Sequence, residues 1–504
     1  MSDRSALLVS YHFPPMGGSG VQRAVKLVKY LPRYGWQCHV VCAGHRHYPL
    51  TDSALAAELP DDVQVDRVLG WEPEAIATWL CTGAATASRV DGRQSGKLER
   101  RLCWRLQRWT RWLPIADPHF LWTGAATRAA ARRLVRDSID AVITTSPPHE
   151  THRVGLALQR RYRLPWIADL RDPIVDNFAD DREDRRAADR RLRLESAIVR
   201  CADRVVVTCP ELADRLRERY GERYAAKVVV IPNGYDPTDA PSACFIPGEL
   251  GGDLSRDRQG ALASRMREPS PSRADPSLTV GALNDQCMTL TSAARSRRDA
   301  SPFTLTYVGS FYRGQTIEPI LGGVRMLRGC RPDVARRIRL RVVGSLSAGQ
   351  KIHMRPEDRR FLDVVGYRTH ADAVREMADA DALVLTTPTV EGGRFCIPAK
   401  TYEYLAFGGH VIASVHAGTY LEQLLRRAGG CTRVDNPSPD AWRRAIETTY
   451  DQWHDGPPAR PNRLSVLSAL RRDVQAASLA RILEDCVTDA RPSPAATRVG
   501  VAGA

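Results

Sequence analysis

Apolar residues along this chain form two alternating patterns, short continuous runs and longer runs with helical spacing. Residues 6–10 form a largely apolar run typical of a buried strand, and apolar side chains from Val21 to Leu31 then recur on one helix face. Similar strand candidates follow at 38–42, 141–145, 166–169, 204–208 and 227–231, with helical stretches between them. Strands that alternate with helices predict parallel βαβ units.

The second half of the chain repeats this plan. Its strand candidates are residues 304–308, 338–343, 382–385 and 410–414, and its predicted helices include 371–380 and 400–407. The pattern therefore predicts an α/β chain with two units of parallel strands and helices, at residues 1–240 and 302–490.

The sequence between these units has a different character. Residues 241–301 are rich in Ser, Arg, Pro, Asp and Gly and contain few large apolar side chains. Such a segment cannot bury much apolar surface, so we predict a long, disordered, low-complexity insertion between the two domains. Residues 491–504 are predicted to be a disordered tail.

Composition narrows the class of protein. The chain has 504 residues, of which 43% are hydrophobic and 26% charged, as in soluble globular proteins. Its 73 basic and 58 acidic residues leave a net charge of +15, which favours anionic partners without choosing among them. No apolar run is long enough for a membrane span or a signal peptide, and the 12 cysteines include no CxxC pair, so we expect a cytoplasmic protein with free thiols.

Glycines are concentrated at the turn between the first predicted strand and helix, in FPPMGGSG at residues 13–20. Gly17, Gly18 and Gly20 would let backbone N–H groups approach an anion beside a helix N-terminus. A tight turn that needs glycine only for its shape is the alternative. A GxGxxG dinucleotide site is disfavoured, because Arg23 replaces the third glycine and no carboxylate follows the second strand.

The second half has a similar turn, YVGSFYRG at residues 307–314, directly after a predicted strand. Gly309, Ser310 and Gly314 surround Arg313, whose guanidinium is placed to pair with phosphate oxygens. An arginine at the surface of an ordinary turn is the alternative.

A further charged segment, residues 391–408, contains a predicted helix start at Pro398. Lys400 and Glu403 fall on the first turn of that helix, where the lysine could neutralise a phosphate and the carboxylate could accept from sugar or ribose hydroxyls. Because the two residues are i and i+3, a solvated ion pair is the alternative.

These landmarks together resemble the family 4 glycosyltransferases, which have the two-domain GT-B fold. They are the turn at 17–20, ADRVVV at 202–207, VIPNGYD at 230–236, the Gly309 turn and EYLAFG at 403–408. The resemblance implies two Rossmann-like, doubly wound domains that face each other across a cleft. It implies a transferase that uses a nucleotide sugar and retains anomeric configuration.

The resemblance also implies roles for the donor-site candidates. The second domain would bind the nucleotide sugar, with Gly309, Arg313 and Lys400 near its diphosphate. Glu403 would contact the ribose, and Glu391 would contact the donor sugar, like the second and first acids of the family's paired glutamates.

In the first domain, the resemblance implies an acceptor site. The loop with Gly17 and Gly18 would approach the reacting centre, and His149, in SPPH at 146–149, matches a histidine near the sugar in family members. His149 and Glu391 are thus the candidate catalytic residues, although a lone histidine can also be structural. Asp172 is a candidate for acceptor contact, with a helix cap or turn as the alternative.

Two positions depart from the family pattern. The usual spacing puts the first glutamate at 395, where this chain has Phe395, so that Glu391 and Glu403 form E-x11-E. A lysine often found just beyond the phosphate arginine is missing, and we hypothesise that Lys400 replaces it. No DxD-like pair stands where a metal–diphosphate bridge would be expected, so we predict that neither a metal nor another cofactor is required.

The stretch from Leu98 to Leu113 is basic and bears tryptophans, with leucines on one predicted helix stripe and arginines around it. Such a helix can lie on an anionic membrane, at the inner face of the plasma membrane for a cytoplasmic protein. A helix that packs into the core and solvates its arginines is the alternative.

The family resemblance predicts transfer of a sugar from a nucleotide sugar to a carbohydrate or lipid-linked acceptor, in bacterial surface polysaccharide or glycolipid assembly. A sugar-nucleotide epimerase of the same fold is one alternative. A basic nucleic-acid-binding protein is another, but no zinc spacing, helix-turn-helix pattern or aromatic–basic motif supports it, so we expect no nucleic-acid partner.

Overall fold

The computed structural model describes residues 4–44, 51–70, 105, 119–178, 185–240, 301–311, 314–390, 392–456 and 463–490 of the chain. The predicted insertion lies outside the described residues except for Ser301, and the predicted tail at 491–504 lies outside them entirely. The described residues form two parallel sheets, one in each half of the chain.

The first half forms a seven-stranded sheet with parallel pairing throughout. Its strands are β1 (Arg4–Ser10), β2 (Trp36–Ala43), β3 (Gln64–Val68), β4 (Ala141–Ser146), β5 (Trp166–Leu170), β6 (Arg204–Val207) and β7 (Val228–Val230). Their order is β3-β2-β1-β4-β5-β6-β7, so the direction of strand addition reverses between β1 and β4. Leu8 in the central strand lies between Val40 and Ile143, as expected of a parallel sheet covered on both faces.

Helices cover both faces of this sheet. The described helices are α1 (Ser19–Tyr30), α2 (Ser53–Ala56), α3 (Phe120–Arg136), α4 (His152–Tyr162), α5 (Arg185–Cys201), α6 (Pro210–Tyr220) and α7 (Glu222–Ala225). Leu7 and Val9 of β1 pack on the side of α3, α4 and α5, whereas Ala6 and Leu8 pack on the side of α1. This division follows from the alternation of side chains along a strand.

The second half forms a six-stranded parallel sheet. Its strands are β8 (Phe303–Val308), β9 (Ile338–Val343), β10 (Leu362–Val364), β11 (Ala382–Thr386), β12 (His410–Ser414) and β13 (Cys431–Arg433). Their order is β10-β9-β8-β11-β12-β13, with the reversal between β8 and β11. The predicted α/β class with two Rossmann-like units is therefore confirmed.

The remaining helices follow this second sheet in the chain. They are α8 (Glu318–Cys330), α9 (Pro332–Ala335), α10 (Ala348–Lys351), α11 (His370–Asp379), α12 (Lys400–Phe407), α13 (Tyr420–Ala428), α14 (Pro439–Asp455), α15 (Leu464–Leu467) and α16 (Arg472–Ala490). None of these or the earlier described helices has the length and apolar character needed to cross a membrane.

The last helix, α16, returns to the first sheet. Its apolar residues Leu479 and Leu483 join Val21 and Val25 of α1 in one buried cluster. Chain order placed this helix with the second domain in the predicted range 302–490, whereas its packing places it on the first. We call residues 4–240 with α16 the first lobe, and residues 301–470 the second lobe.

The VIPNGYD landmark lies where the chain crosses itself between the lobes. The Tyr235 N–H donates to the Leu470 carbonyl at 3.1 Å, and the Arg472 N–H donates to the Tyr235 carbonyl at 2.9 Å. A side chain at Gly234 would collide with the Leu470 carbonyl oxygen and with Gln475. The glycine of this motif is therefore required by the close approach of two crossing segments.

Candidate functional site

Loops that follow the carboxyl ends of strands in both lobes meet each other. In open parallel sheets, ligands bind at these ends, where the strand order reverses. The reversal lies between β1 and β4 in the first lobe and between β8 and β11 in the second. The turns predicted from sequence at Gly17 and Gly309 directly follow β1 and β8.

The first glycine turn leads from β1 into α1 and touches the second lobe. Gly18 has a φ of 100°, a conformation that glycine adopts without strain, and no side chain caps the helix that follows. A Cβ on Gly17 would lie 2.6 Å from the Oη atom of Tyr367, which belongs to the second lobe. The Gly20 carbonyl accepts a 2.6 Å hydrogen bond from Arg171. The first backbone N–H groups of α1, which have no partner within the helix, therefore lie at the boundary between the lobes.

The second glycine turn forms what we call the Lys400 cradle: Tyr307, Val308, Gly309 and Lys400. The Lys400 Nζ atom donates to the Val308 carbonyl at 2.8 Å and lies 3.5 Å from the centre of the Tyr307 ring. Gly309 has a φ of 105°, and a Cβ there would lie 3.8 Å from Lys400 Nζ. The sequence prediction that Gly309 and Lys400 lie together thus matches the geometry.

The ammonium group of Lys400 lacks an anionic partner among the described residues. Burial lowers the pKa of Lys400 to about 7. An anion in the cradle would favour the charged form and raise that pKa. The cradle can therefore receive a negatively charged group.

Neighbouring residues shape the rest of this turn. The Tyr307 hydroxyl donates to the Ser310 carbonyl at 2.9 Å, and the Tyr307 ring stacks on Phe311. Gly314 has a φ of 78° and packs against Pro388 and Val390. Arg313, the predicted phosphate ligand, lies outside the described residues.

Glu403 lies one turn further along α12 and has a different partner. Its Oε1 atom is 2.9 Å from the Nε2 atom of His370. Burial alone would raise the pKa of Glu403, but the positive charges of His370, Arg472 and Lys26 lower it. Lys400 and Glu403 do not form the solvated i, i+3 ion pair that stood as the alternative.

A group of buried and partly exposed charges, which we call the hinge cluster, lies where the first lobe approaches His370. Its members are Lys26, Lys29, Glu58, Asp236 and Asp239. Its three carboxylates lie within 4.8 Å of one another, a spacing that could suit a metal. Two ammonium groups already lie among them, so the chain supplies its own counter-charge, and the absence of a metal requirement stays a prediction.

The other predicted first-lobe residues lie around the same cleft. His149 begins a 3-10 turn directly after β4, and its Nε2 atom lies 3.3 Å from Asn177 Nδ2. Asp172 follows β5 and is partly exposed. Burial raises the pKa of the Cys396 thiol in the second lobe, and the charge of Asp172 raises it further. Their roles toward an acceptor stay predictions.

The loop after β11 brings the lobes into direct contact. Gly392 has a φ of 83°, and a Cβ there would collide with the Asp176 carbonyl of the first lobe. Phe395, which stands where the family pattern has its first glutamate, is buried, and its carbonyl oxygen lies 3.8 Å from Cys209 Sγ of the first lobe. Glu391 itself lies outside the described residues.

Several charged residues near the site were not predicted from the sequence. Arg23 pairs with Asp169 at 2.8 Å inside the first lobe, and Thr145 donates to the same carboxylate. Arg23 and Lys26 are buried on α1, and charged residues on a helix that is otherwise apolar were the signal available in the sequence. His370 had no such signal.

Comparison with known proteins gives the following similarities. Residues 18–234 match the profile of a family described as a glycosyl transferase 4-like domain. HepE of Anabaena, solved with UDP and glucose, aligns with a TM-score of 0.56 at 13% identity, over 96% of this chain and 100% of HepE. Sucrose-phosphate synthase from Thermosynechococcus elongatus aligns with a TM-score of 0.57 at 17% identity, over 96% of this chain and 100% of its own.

The lipopolysaccharide outer core galactosyltransferase WaaB, in its apo form, aligns with a TM-score of 0.50 at 10% identity, over 96% of this chain and 99% of its own. No curated protein matches the chain by sequence. At these identities the structural likeness shows the fold, and the predicted arrangement of two facing Rossmann-like domains is confirmed.

Proposed function

We propose, for this glycosyltransferase with its family 4-like domain in a GT-B fold, that it moves a sugar from a nucleoside diphosphate sugar to a carbohydrate or lipid-linked acceptor. The bond from the anomeric carbon to the diphosphate breaks, and an acceptor oxygen bonds to that carbon while its proton leaves. We further propose that configuration is retained and that the product enters bacterial surface polysaccharide or glycolipid.

The Lys400 cradle is the observation that carries this proposal. A diphosphate leaving group needs positive charge placed in advance, and the Lys400 ammonium group would supply it beside a glycine turn. We propose that the Gly17 turn of the first lobe, which contacts Tyr367 of the second lobe, forms the opposite wall. HepE was solved with UDP and glucose, which supports a uridine nucleotide as the first donor to test.

A thermal-shift screen tests donor binding. A ligand that binds only the folded state raises the melting temperature, so UDP-sugars and other nucleotide sugars can be ranked without knowing the acceptor. We expect at least one of them to raise the melting temperature of the wild type and to do so less in Lys400→Met. A screen in which no nucleotide sugar changes the melting temperature would remove the proposal.

Product analysis separates transfer from the epimerase alternative. A transferase releases free nucleoside diphosphate only when an acceptor is present, whereas an epimerase converts the sugar nucleotide without one. We expect acceptor-dependent release. Conversion of the donor to its epimer with no acceptor would favour the alternative.

We also propose that the acceptor is presented at an anionic membrane surface, which the enzyme contacts through its first lobe. The predicted membrane helix from Leu98 to Leu113 lies outside the described residues except for Arg105. Support comes from α3, α4 and α5, which lie side by side on one face. Their exposed arginines, together with that of Arg163 just after α4, are Arg128, Arg132, Arg136, Arg160, Arg161, Arg163, Arg185, Arg186, Arg193 and Arg200.

This basic face fits a lipid bilayer in two respects. Asp189 is the only exposed acidic residue on the three helices, so the face is strongly positive. Phe120, Val135 and Leu192 are exposed among the arginines, and Val135 is 79% exposed. Basic and apolar side chains together are typical of surfaces that bind anionic headgroups and their acyl boundary.

Vesicle co-sedimentation tests this surface. Each basic residue near an anionic bilayer contributes about 1 kcal/mol, so reversing Arg132, Arg160 and Arg193 to Glu should weaken binding to phosphatidylglycerol vesicles by about 100-fold or more. The matched control reverses three exposed second-lobe arginines, Arg336, Arg359 and Arg360. Equal loss in both triple variants, or binding to RNA but not to vesicles, would overturn the membrane proposal.

A further inference from the structure

We propose that His370 is a positioning residue for the donor site, which holds the Glu403 carboxylate in place and fastens it to the first lobe. The inference rests on the proposed function, because Glu403 is the residue expected to contact the ribose of the donor. It adds to that function a residue through which the two lobes set the donor site together.

His370 makes contacts in both lobes. It is the first residue of α11, in the second lobe, and its Nε2 atom lies 2.9 Å from Glu403 Oε1 of the same lobe. Its main-chain N–H donates to Asp52 Oδ2 of the first lobe at 3.0 Å. One residue therefore joins the donor-side helix α12 to the first lobe.

The other ring nitrogen faces the hinge cluster. His370 Nδ1 lies 3.9 Å from Asp239 Oδ2, and Asp239 in turn lies 3.0 Å from Lys26 Nζ. Lys26 belongs to α1, the helix that follows the Gly17 turn. The ring is thus placed between a second-lobe carboxylate and a first-lobe carboxylate, so its charged form is attracted to both.

The contact between His370 and Glu403 lies away from solvent. The side chains of His370 and Glu403 are only 10% and 7% exposed, so either group without its partner would be a buried charge with little solvation. Burial alone would lower the pKa of His370, but Glu403 and Asp239 raise it to about 9, with a small opposing effect from Lys26. The imidazolium is therefore the form present at neutral pH.

Asp52 extends the connection to the loop expected to approach the acceptor. Its own N–H donates to the Pro15 carbonyl at 3.0 Å, and Met16 pairs with Thr51 in an antiparallel bridge. The Gly17 turn is therefore held by the same short segment that binds the His370 main chain. Separation of the lobes would release this turn and remove the contacts of His370 with Asp52 and Asp239, which hold its side chain beside Glu403.

The charge of His370 should appear in the pH dependence of donor binding. The groups that face it are Glu403, Asp239, Asp52 and Lys26. Its pKa is raised by folding, so the stabilising interaction is complete below about pH 6.5 and is lost as pH rises through about 9. Donor affinity should therefore decrease between about pH 8 and pH 10 in the wild type.

Two variants test this role. His370→Gln keeps an N–H donor without the charge, and His370→Ala removes both. Loss of a hydrogen bond to a buried charge should weaken the binding of the donor found in the screen about tenfold or more in the alanine variant, and less in the glutamine variant. We expect both to show a smaller decrease in affinity above pH 8 than the wild type, as measured by isothermal titration calorimetry, with the decrease that remains coming from Lys400. His353→Gln, at a partly exposed histidine of the second lobe, is the matched control.

The melting temperature supplies a readout that needs no ligand. The wild type should lose more stability between pH 8 and pH 10 than His370→Gln does. If no nucleotide binds the wild type, the proposed function fails and the positioning role fails with it. If nucleotides bind but His370→Gln and His370→Ala keep the affinity and pH profile of the wild type, only the role of His370 is overturned.

Discussion

Two lysines of this protein, Lys26 and Lys400, differ in the groups that surround their ammonium ions. Lys26 in the hinge cluster is 2% exposed and contacts Glu58, Asp236 and Asp239 at 2.6 to 3.0 Å. Lys400 in the cradle has a carbonyl oxygen and an aromatic ring as described partners. Burial alone would lower both pKa values, but the carboxylates raise that of Lys26, whereas that of Lys400 is lowered to about 7.

This difference separates a structural charge from one that can receive a ligand. A buried cation with three acidic partners has its electrostatic requirement met by the chain itself. A partly buried cation without one, such as Lys400, is held in an environment that an anion would improve. Substitution of each lysine by methionine, which removes the charge and keeps a side chain of similar length, tests whether the two lysines differ in this way.

The largest effect should come from Lys26→Met. Removing this charge leaves the acidic groups of the hinge cluster buried with one ammonium among them. We expect the free energy of unfolding to fall by about 3–5 kcal/mol, as for other broken buried ion pairs. Urea denaturation measures it, and a loss below about 1 kcal/mol would mean that the cluster is better solvated than its burial indicates.

Lys400→Met should affect ligand binding more than stability, the reverse of what we expect for Lys26→Met. We expect the free energy of unfolding to change little or to increase, because a methionine side chain has no charge whose desolvation opposes folding. Affinity for the nucleoside diphosphate should fall by about 10- to 100-fold, since a charge-assisted contact is lost. A variant with large destabilisation and unchanged affinity would assign Lys400 to the same structural class as Lys26.

Proton uptake sharpens the comparison further. With a pKa of about 7, Lys400 is mostly neutral at pH 8, and a bound diphosphate would raise that pKa. Binding at pH 8 should therefore take up close to one proton, and binding at pH 6 almost none. Calorimetry in buffers of different ionisation enthalpy measures this, and Lys400→Met should lose the uptake at pH 8.

The same depressed pKa affects stability with the opposite sign to that of His370. Between about pH 7 and pH 10.5 the unfolded chain binds a proton at Lys400 that the folded protein does not, so this group makes stability rise with pH. His370 makes stability fall between about pH 6.5 and pH 9. The pH slopes of the single variants separate the two contributions.

The smallest effect should come from Gly17→Ala. The new Cβ would lie 2.6 Å from the Tyr367 hydroxyl, which is the end of a side chain that is 37% exposed and can move. We expect a loss of about 1 kcal/mol or less in stability, and recovery of most of it in the double variant with Tyr367→Ala. Failure of Tyr367→Ala to compensate would show that the strain lies in the backbone near Thr51.

The fold could be predicted from the sequence where the apolar pattern was continuous. The run at 38–42 became Trp36–Ala43, and the runs at 338–343 and 410–414 coincide with Ile338–Val343 and His410–Ser414. Of the strands at the sheet edges, Val228–Val230 was predicted. Gln64–Val68, Leu362–Val364 and Cys431–Arg433 were not, because they are short and partly exposed. Their polar residues hide the period that marks a strand.

The site could be predicted only where a local motif carried it. The meeting of Lys400 with Gly309 follows from two glycine-rich segments that share a sheet edge. The contact between His370 and Asp52 joins residues 318 positions apart, and the sequence around neither residue predicts it. Contacts between the lobes depend on how whole domains dock. The periodicity and spacing of residues within one segment do not predict that docking.

The return of α16 to the first lobe has a consequence for how the protein is made. A ribosome synthesises Leu479 and Leu483 long after α1, yet these side chains complete the apolar covering of α1. Until α16 has been synthesised, α1 therefore exposes part of its buried face, which gives chaperones a surface to hold. Substitutions that disturb α16 should consequently affect the first lobe more than the second lobe, which directly precedes α16 in the chain.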